Sequence, residues 1–307
     1  MRKLVAKVAA LTLAVAGTLA TAGPAAAHGN RSGHERQGTT VLVHSDGATV
    51  TLSRSRVDEG RIAFTVDTSN TEGGSQITLF RLVGDATLAT IIADLGDAFS
   101  QDLSTRAKST QNLTRHARFF GLADVVPGTP AVVTETLPGG AYFLVDVAAA
   151  LGKTAPAFTP FTVRDSDEDG DDSGRGLSED RRGERRHGPV VKMTSADTFV
   201  SPSTLPARGT VTVRNVSDTL HFMTMGPVKK GTTDAQVQAY FDSGNQGQLP
   251  FMADGPTLGL GILSPGRQAE LTYNLSPGTY LMLCFIADDK TGMDHAVMGM
   301  HKVVTLK

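Results

Sequence analysis

The chain has 307 residues, 40% of them hydrophobic and 20% charged, with a formal net charge of −2. That length suits about two domains at ~150 residues each, both large enough to bury a core without disulfides. The near-neutral charge argues against nucleic acid as a partner, and 33 Gly and 14 Pro with no Trp favour a turn-rich β protein.

Residues 1–27 read as an export signal. Arg2, Lys3 and Lys7 form the basic start, Val8 to Ala20 is apolar, and Ala25, Ala26 and Ala27 form a small-residue cleavage site. The apolar run is too short for a good membrane anchor, and no later segment is apolar for long enough to span a bilayer. A secreted or periplasmic protein cut after Ala27 is expected, with no membrane span in the mature chain. Residues 28–40 are polar and read as a disordered tail. Residues 41–164 carry short apolar or alternating runs broken by turns, which predict a first β domain. Residues 165–188 are acidic and then basic, with Leu177 as the only sizeable apolar side chain, and read as a disordered linker. Residues 189–307 return to strand-like runs and form a second domain.

The two domains look like repeats of each other. GLADVVPGTPAVVTETLPGGAYFLVD begins at Gly121 and GLGILSPGRQAELTYNLSPGTYLMLC begins at Gly259. They align without a gap, and 9 of 26 positions are identical. Each reads as a β-hairpin with a Pro-Gly turn and a Gly-x-Tyr strand. Upstream, RIAFTVDTSN and TVTVRNVSDT also correspond, each followed by a strand and a helical patch. In the second domain Thr233 and Gln236 form a capping-box pattern, with Val237, Tyr240 and Phe241 on one helical face. The fold class is therefore all-β: two tandem Greek-key β-sandwiches with short helices, their strands expected to be antiparallel.

Chemistry concentrates near the C-terminus. The chain has one cysteine, Cys284, so no internal disulfide forms. A lone thiol outside the cell is an oxidation liability, and a metal ligand is one reason to keep it. Cys284, His295 and Met300 fall between two strands with the spacing C-x10-H-x4-M, and His221 lies where one strand ends and the next begins. Taken singly, Cys284 reads as an inert thiol and His221 as a core histidine. Together, one thiolate, two imidazoles and a thioether are the donor set that holds copper as it moves between Cu(I) and Cu(II).

The set His221, Cys284, His295 and Met300 resembles the type 1 copper ligands of the cupredoxins, the family of plastocyanin, azurin and the copper domains of nitrite reductase. Asn215, Asp218 and His221 are similar to that family's N-x-x-D…H pattern, and HAVMGM to its H-x4-M step. The stretch from Cys284 to His295 is longer than in the small electron carriers. The resemblance implies one copper per chain, with Met300 axial and Met298, two residues earlier on the same strand face, as the alternative. It implies that Asn215 steadies the ligand loops; read alone, Asn215 shapes a turn. It also implies electron exchange through an exposed face of His295. His301 should point away from Met300 and be exposed. In the first domain Asp146, Ala157 and Thr162 stand where Cys284, His295 and Met300 stand in the second, so that copy is expected to be degenerate and metal-free.

Weaker signals complete the reading. Asp165, Asp167, Asp169 and Gly170 begin like an EF-hand loop, but the twelfth position is Gly176, not Glu, so a solvated linker is favoured over calcium. His28, as a new N-terminus, could chelate copper but leads a disordered tail. Met223, Met225, Met252, Met282, Met293, Met298 and Met300 make the second domain rich in thioethers, mostly core fillers. The expected function is one-electron transfer with a redox partner protein or copper donor, without catalysis. The alternatives are a copper-free extracellular binding or structural module, a Cu(I) carrier, and an enzyme, which would need further copper centres built from paired histidines.

Overall fold

Strand after strand buries every second residue. In Gly60–Thr68 the buried positions are Ile62, Phe64, Val66 and Thr68, and in Arg208–Asn215 they are Val211, Val213 and Asn215. A period of two presses one face of each strand onto a core. The computed structural model describes residues 39–150, 157–165, 188–195, 197–244 and 249–307. The expected export signal at 1–27, most of the tail with His28, and the charged stretch 166–187 with Asp167, Asp169, Gly170 and Gly176 lie outside the described residues.

The strands form two sheets that face each other across the core. The first, of eight strands, runs in the order Thr198–Val200, Val190–Thr194, Arg208–Asn215, Gln268–Asn274, Ala131–Leu137, Gly60–Thr68, Thr39–Ser45 and Val50–Leu52. The second, of eleven, runs Thr204–Leu205, His301–Leu306, Gly278–Leu283, His221–Pro227, Leu258–Leu263, Ala117–Gly121, Ser75–Leu82, Gly140–Asp146, Thr159–Arg164 and Arg56–Asp58. Ala123–Val125 lies off this path, beside Leu258–Leu263 and Ser75–Leu82.

Both sheets run unbroken through the two sequence halves. Gln268–Asn274 pairs antiparallel with Ala131–Leu137, setting Leu271 opposite Val133. Leu258–Leu263 pairs with Ala123–Val125, setting Leu260 opposite Ala123. One apolar cluster accordingly contains Phe64 and Phe120 from the first half and Val213, Leu260 and Cys284 from the second.

The repeated hairpin folds the same way twice. Tyr142 donates its hydroxyl to the Pro138 carbonyl at 2.7 Å, and Tyr280 donates to the Ser276 carbonyl at 3.1 Å. Each thus ties the strand that begins at Gly140 or Gly278 to the preceding turn, in the manner of a tyrosine corner. Not every pairing is antiparallel. Thr39–Ser45 runs parallel to Gly60–Thr68, and Val190–Thr194 parallel to Arg208–Asn215. In the first case the chain visits the opposite sheet at Arg56–Asp58 before returning, so it re-enters beside its own start in the same direction.

The longer helices are capped by side chains at their starts. Thr233 and Gln236 form a reciprocal capping box at the start of Asp234–Asp242, which buries Val237 and Phe241. The first half carries the helices Leu88–Asp97 and Leu103–His116 and a single turn at Val147–Ala150. The second begins at Asp102, whose carboxylate accepts from the Thr105 amide, and it reaches the ligand loop of the other half.

Candidate metal centre

His221 opens the strand His221–Pro227, where a bulge against Leu258–Leu263 shifts the register between His221 and Met223. A bulge re-aims the side chain at its start. The loop before it is shaped by Asn215, which is fully buried. The Asn215 side-chain amide donates to the carbonyls of Thr219 at 2.8 Å and Leu263 at 2.9 Å. Its oxygen accepts from the Ser217 amide at 2.9 Å and the Ser217 hydroxyl at 2.6 Å. These four bonds leave no unmet capacity on the side chain and fix where the chain enters His221.

Cys284 directly follows the neighbouring strand, Gly278–Leu283, and the chain then makes a closed loop to Met300. The Asp288 carboxylate accepts from the amides of Lys290 and Thr291 and from the Thr291 hydroxyl. His295 begins a single helical turn, His295–Met298, that stops at Gly299 with φ 118°. That left-handed conformation suits glycine. It returns the chain so that the Met300 amide donates to the His295 carbonyl at 2.8 Å and the Ala296 amide to the Cys284 carbonyl at 2.7 Å.

The result is a tight triangle of donors. His221 Nδ1 and His295 Nδ1 lie 3.1 Å apart. Cys284 Sγ is 3.9 Å from the first and 3.7 Å from the second. Metal–N bonds of about 2.0 Å and metal–S bonds of about 2.3 Å span such separations. All three side chains are fully buried, as is Met300, which sits in the same apolar cluster as Cys284. Burial pushes His221 down to about 3 and His295 down to about 4, so both rings are neutral near pH 7 with a lone pair to give. Burial also pushes the Cys284 thiol up to about 12, so a cation must displace its proton to bind. One thiol, two imidazoles and a nearby thioether fit copper by ligand softness.

Three expectations about the surroundings are corrected. Met298 does not share a strand face with Met300. It closes the helical turn, is 37% exposed, and its sulfur accepts from the Thr291 hydroxyl at 3.7 Å. The helical turn, stopped by Gly299, replaces the extended strand that would have aligned them. His301 points away from Met300 but is not exposed: its Nε2 meets the Gln238 side-chain oxygen at 2.8 Å on the helix Asp234–Asp242. His295 offers no exposed face. The helix Leu103–His116 of the first half lies over the loop that carries it. Arg106 pairs with Asp294, the Thr110 hydroxyl donates to the Ala287 carbonyl at 2.8 Å, and the Gln111 amide donates to the Asp289 carbonyl. Gly292 fits so closely that a Cβ there would meet the Leu103 carbonyl oxygen at 1.9 Å.

In the first half, Asp146 stands in the place of Cys284 and does different work. It is buried, accepting from the Ser45 hydroxyl at 2.7 Å and from the amides of Gln76 and Ala148. Among the described residues, the groups of His, Cys and acidic side chains close enough to share an ion are His221, Cys284 and His295, and Asp197, Asp288 and His295. The sequence reading passed over Asp197, whose carboxylate lies 3.7 Å from His295 Nε2. A single Asp in a turn has no spacing that could have flagged it.

Two facing sheets of this strand order, one half ending in a His, Cys and His cluster beside a buried Met, decide the architecture. The fold is cupredoxin-like. No family model matches the sequence, and no curated protein matches it. Solved structures similar to it include the dithionite-reduced auracyanin of Roseiflexus castenholzii, at 22% identity and TM-score 0.25, covering 38% of this chain and 94% of that one. A copper nitrite reductase from Nitrosomonas europaea is 12% identical at TM-score 0.21, covering 88% and 94%. A multicopper oxidase from Campylobacter jejuni is 11% identical at TM-score 0.23, covering 87% of this chain and 63% of that one.

Proposed function

We propose that this chain is an exported copper protein that would hold one ion through His221, Cys284, His295 and Met300, and that it passes single electrons without catalysing a reaction. The observation that carries this is the buried triangle of two neutral imidazole Nδ1 atoms and one thiol. Bound copper would supply a one-electron couple between Cu(I) and Cu(II). The protein's part is to hold the donors still. Asn215 fixes the approach to His221, and the helical turn with Gly299 fixes His295 against Cys284. Burial of all three donors keeps water and small ligands away.

With His295 covered, exchange with a partner has to use another route. Phe285, bonded directly to Cys284, is 42% exposed and is our choice for the contact. Export rests on the pattern of residues 1–27. Among the described residues no helix is long and apolar enough to cross a membrane.

The test uses residues 28–307 with Cys284 reduced, titrated with Cu(II). An intense thiolate-to-copper absorption that saturates at one equivalent and is lost in Cys284→Ser is expected. A folded protein that binds no copper ends this reading, and two or more coppers per chain would move it to an enzyme.

A further inference from the structure

His221 and His295 both turn Nδ1 toward Cys284. A neutral imidazole that coordinates through Nδ1 carries its proton on Nε2. In His295 that atom is buried and has no hydrogen-bond partner among the described residues. A buried N–H left unpaired is costly, and histidine ligands ordinarily give their outer N–H to a carboxylate, a carbonyl or water. The group facing this nitrogen is Asp197 Oδ1, at 3.7 Å. That is longer than a hydrogen bond, so the two groups must draw closer to form one.

Asp197 is placed there by its backbone. It sits in the turn between Val190–Thr194 and Thr198–Val200, with its amide donating to the Thr194 carbonyl at 3.0 Å. Its φ of 49° is the sole positive value at a non-glycine position among the described residues. Asp and Asn tolerate that conformation better than other side chains. Asp288 is also near, with Asp197, Asp288 and His295 offering atoms within 4.8 Å of one another. Lys290 and Thr291 hold Asp288 through its Oδ1, and among the described residues the carboxylate within 4.0 Å of the ring is that of Asp197.

Resting on the copper reading above, we infer that Asp197 is the positioning residue of His295: its carboxylate accepts a hydrogen bond from Nε2–H, fixes the ring's tautomer and plane, and makes Nδ1 a stronger donor. A stronger donor favours Cu(II) over Cu(I), so the bound ion has a lower reduction potential than it would without Asp197.

The experiment compares wild-type protein, Asp197→Asn and Asp197→Ala, each as residues 28–307 loaded with copper, by redox titration, visible spectrum and chelator competition for both copper states. Asp197→Asn tolerates the positive φ and keeps an oxygen acceptor, so it controls for folding. We expect Asp197→Ala to lose Cu(II) affinity by about 10–100-fold, with a smaller loss for Cu(I) and a raised potential. Asp197→Asn should keep the wild-type spectrum while its potential still rises. Wild-type potential and affinities in both variants would overturn the inference. So would a second Cu(II) or Zn(II) equivalent bound by the wild type and lost in Asp197→Ala, since the acidic pair would then be a cation site of its own. Wild-type protein with no thiolate-to-copper band would instead sink the copper reading.

Discussion

Asn215 makes more hydrogen bonds around the site than any donor residue does. Asn215→Ala removes its bonds to the Leu263 carbonyl and the Ser217 amide and leaves the Thr219 carbonyl only the bond from the Ser217 hydroxyl, all in a buried loop. Unpaired buried groups cost about 1–3 kcal/mol each, so a loss on the order of 3 kcal/mol is expected in urea unfolding, together with weaker copper binding because His221 is released. A second residue sets a pH dependence. Glu135 is buried, and although Arg267 donates to it at 3.1 Å, burial prevails and pushes its carboxyl up to about 8. A carboxyl raised in the folded state binds its proton more tightly there than when unfolded. Its contribution to stability is therefore lost as pH rises from about 4.5 through about 8. Glu135→Gln removes that dependence, so its melting temperature should gain on the wild type between pH 5 and pH 9. At this scale Cys284, His221 and His295 were legible, because donor softness restricts which residues belong together. Asp197 was not, because a long-range approach leaves no local pattern.

Elements carry a different kind of information. The capping box at Thr233 and Gln236 was readable because both partners sit within one turn. The helical turn at His295–Met298 was not, since four residues carry too little periodicity to distinguish it from a strand. Nor could sequence show that the helix Leu103–His116 of one half would press on the ligand loop of the other. That contact makes the first half a support for the loop that carries His295. Gly292→Ala tests it directly: its φ of 73° disfavours a side chain, and the added Cβ would strike the Leu103 carbonyl. The loop must then lift from the helix. Copper affinity should fall about tenfold or more, while far-UV circular dichroism stays unchanged. A milder change, Thr110→Val, removes the bond to the Ala287 carbonyl and should cost about 1 kcal/mol in thermal or urea unfolding.

Across the whole molecule, the repeat was visible in the two aligned hairpins, but the way they meet was not. The strands Ala131–Leu137 and Gln268–Asn274, which correspond in the repeat, lie side by side with Glu270 opposite Thr134. Arg61 and Arg267 reach across the same junction to Glu270 and Glu135, and Arg267 lies 4.3 Å over the Phe120 ring. Halves joined in this way should unfold together. A protease site inserted between residues 165 and 188 should give two fragments that co-elute on size exclusion and melt in one transition. Separate elution would show that the junction adds little.

The same sheet order decides how the protein treats its neighbours. Pairing across the junction hides the long inner strands, and the outermost strands are all short: Thr198–Val200 and Val50–Leu52 in one sheet, Thr204–Leu205 and Arg56–Asp58 in the other. None has more than three residues. A stray chain seeking open backbone groups on which to add itself finds no template long enough to hold it. For a protein with 19 strands among its described residues, that is a built-in guard against edge-to-edge aggregation.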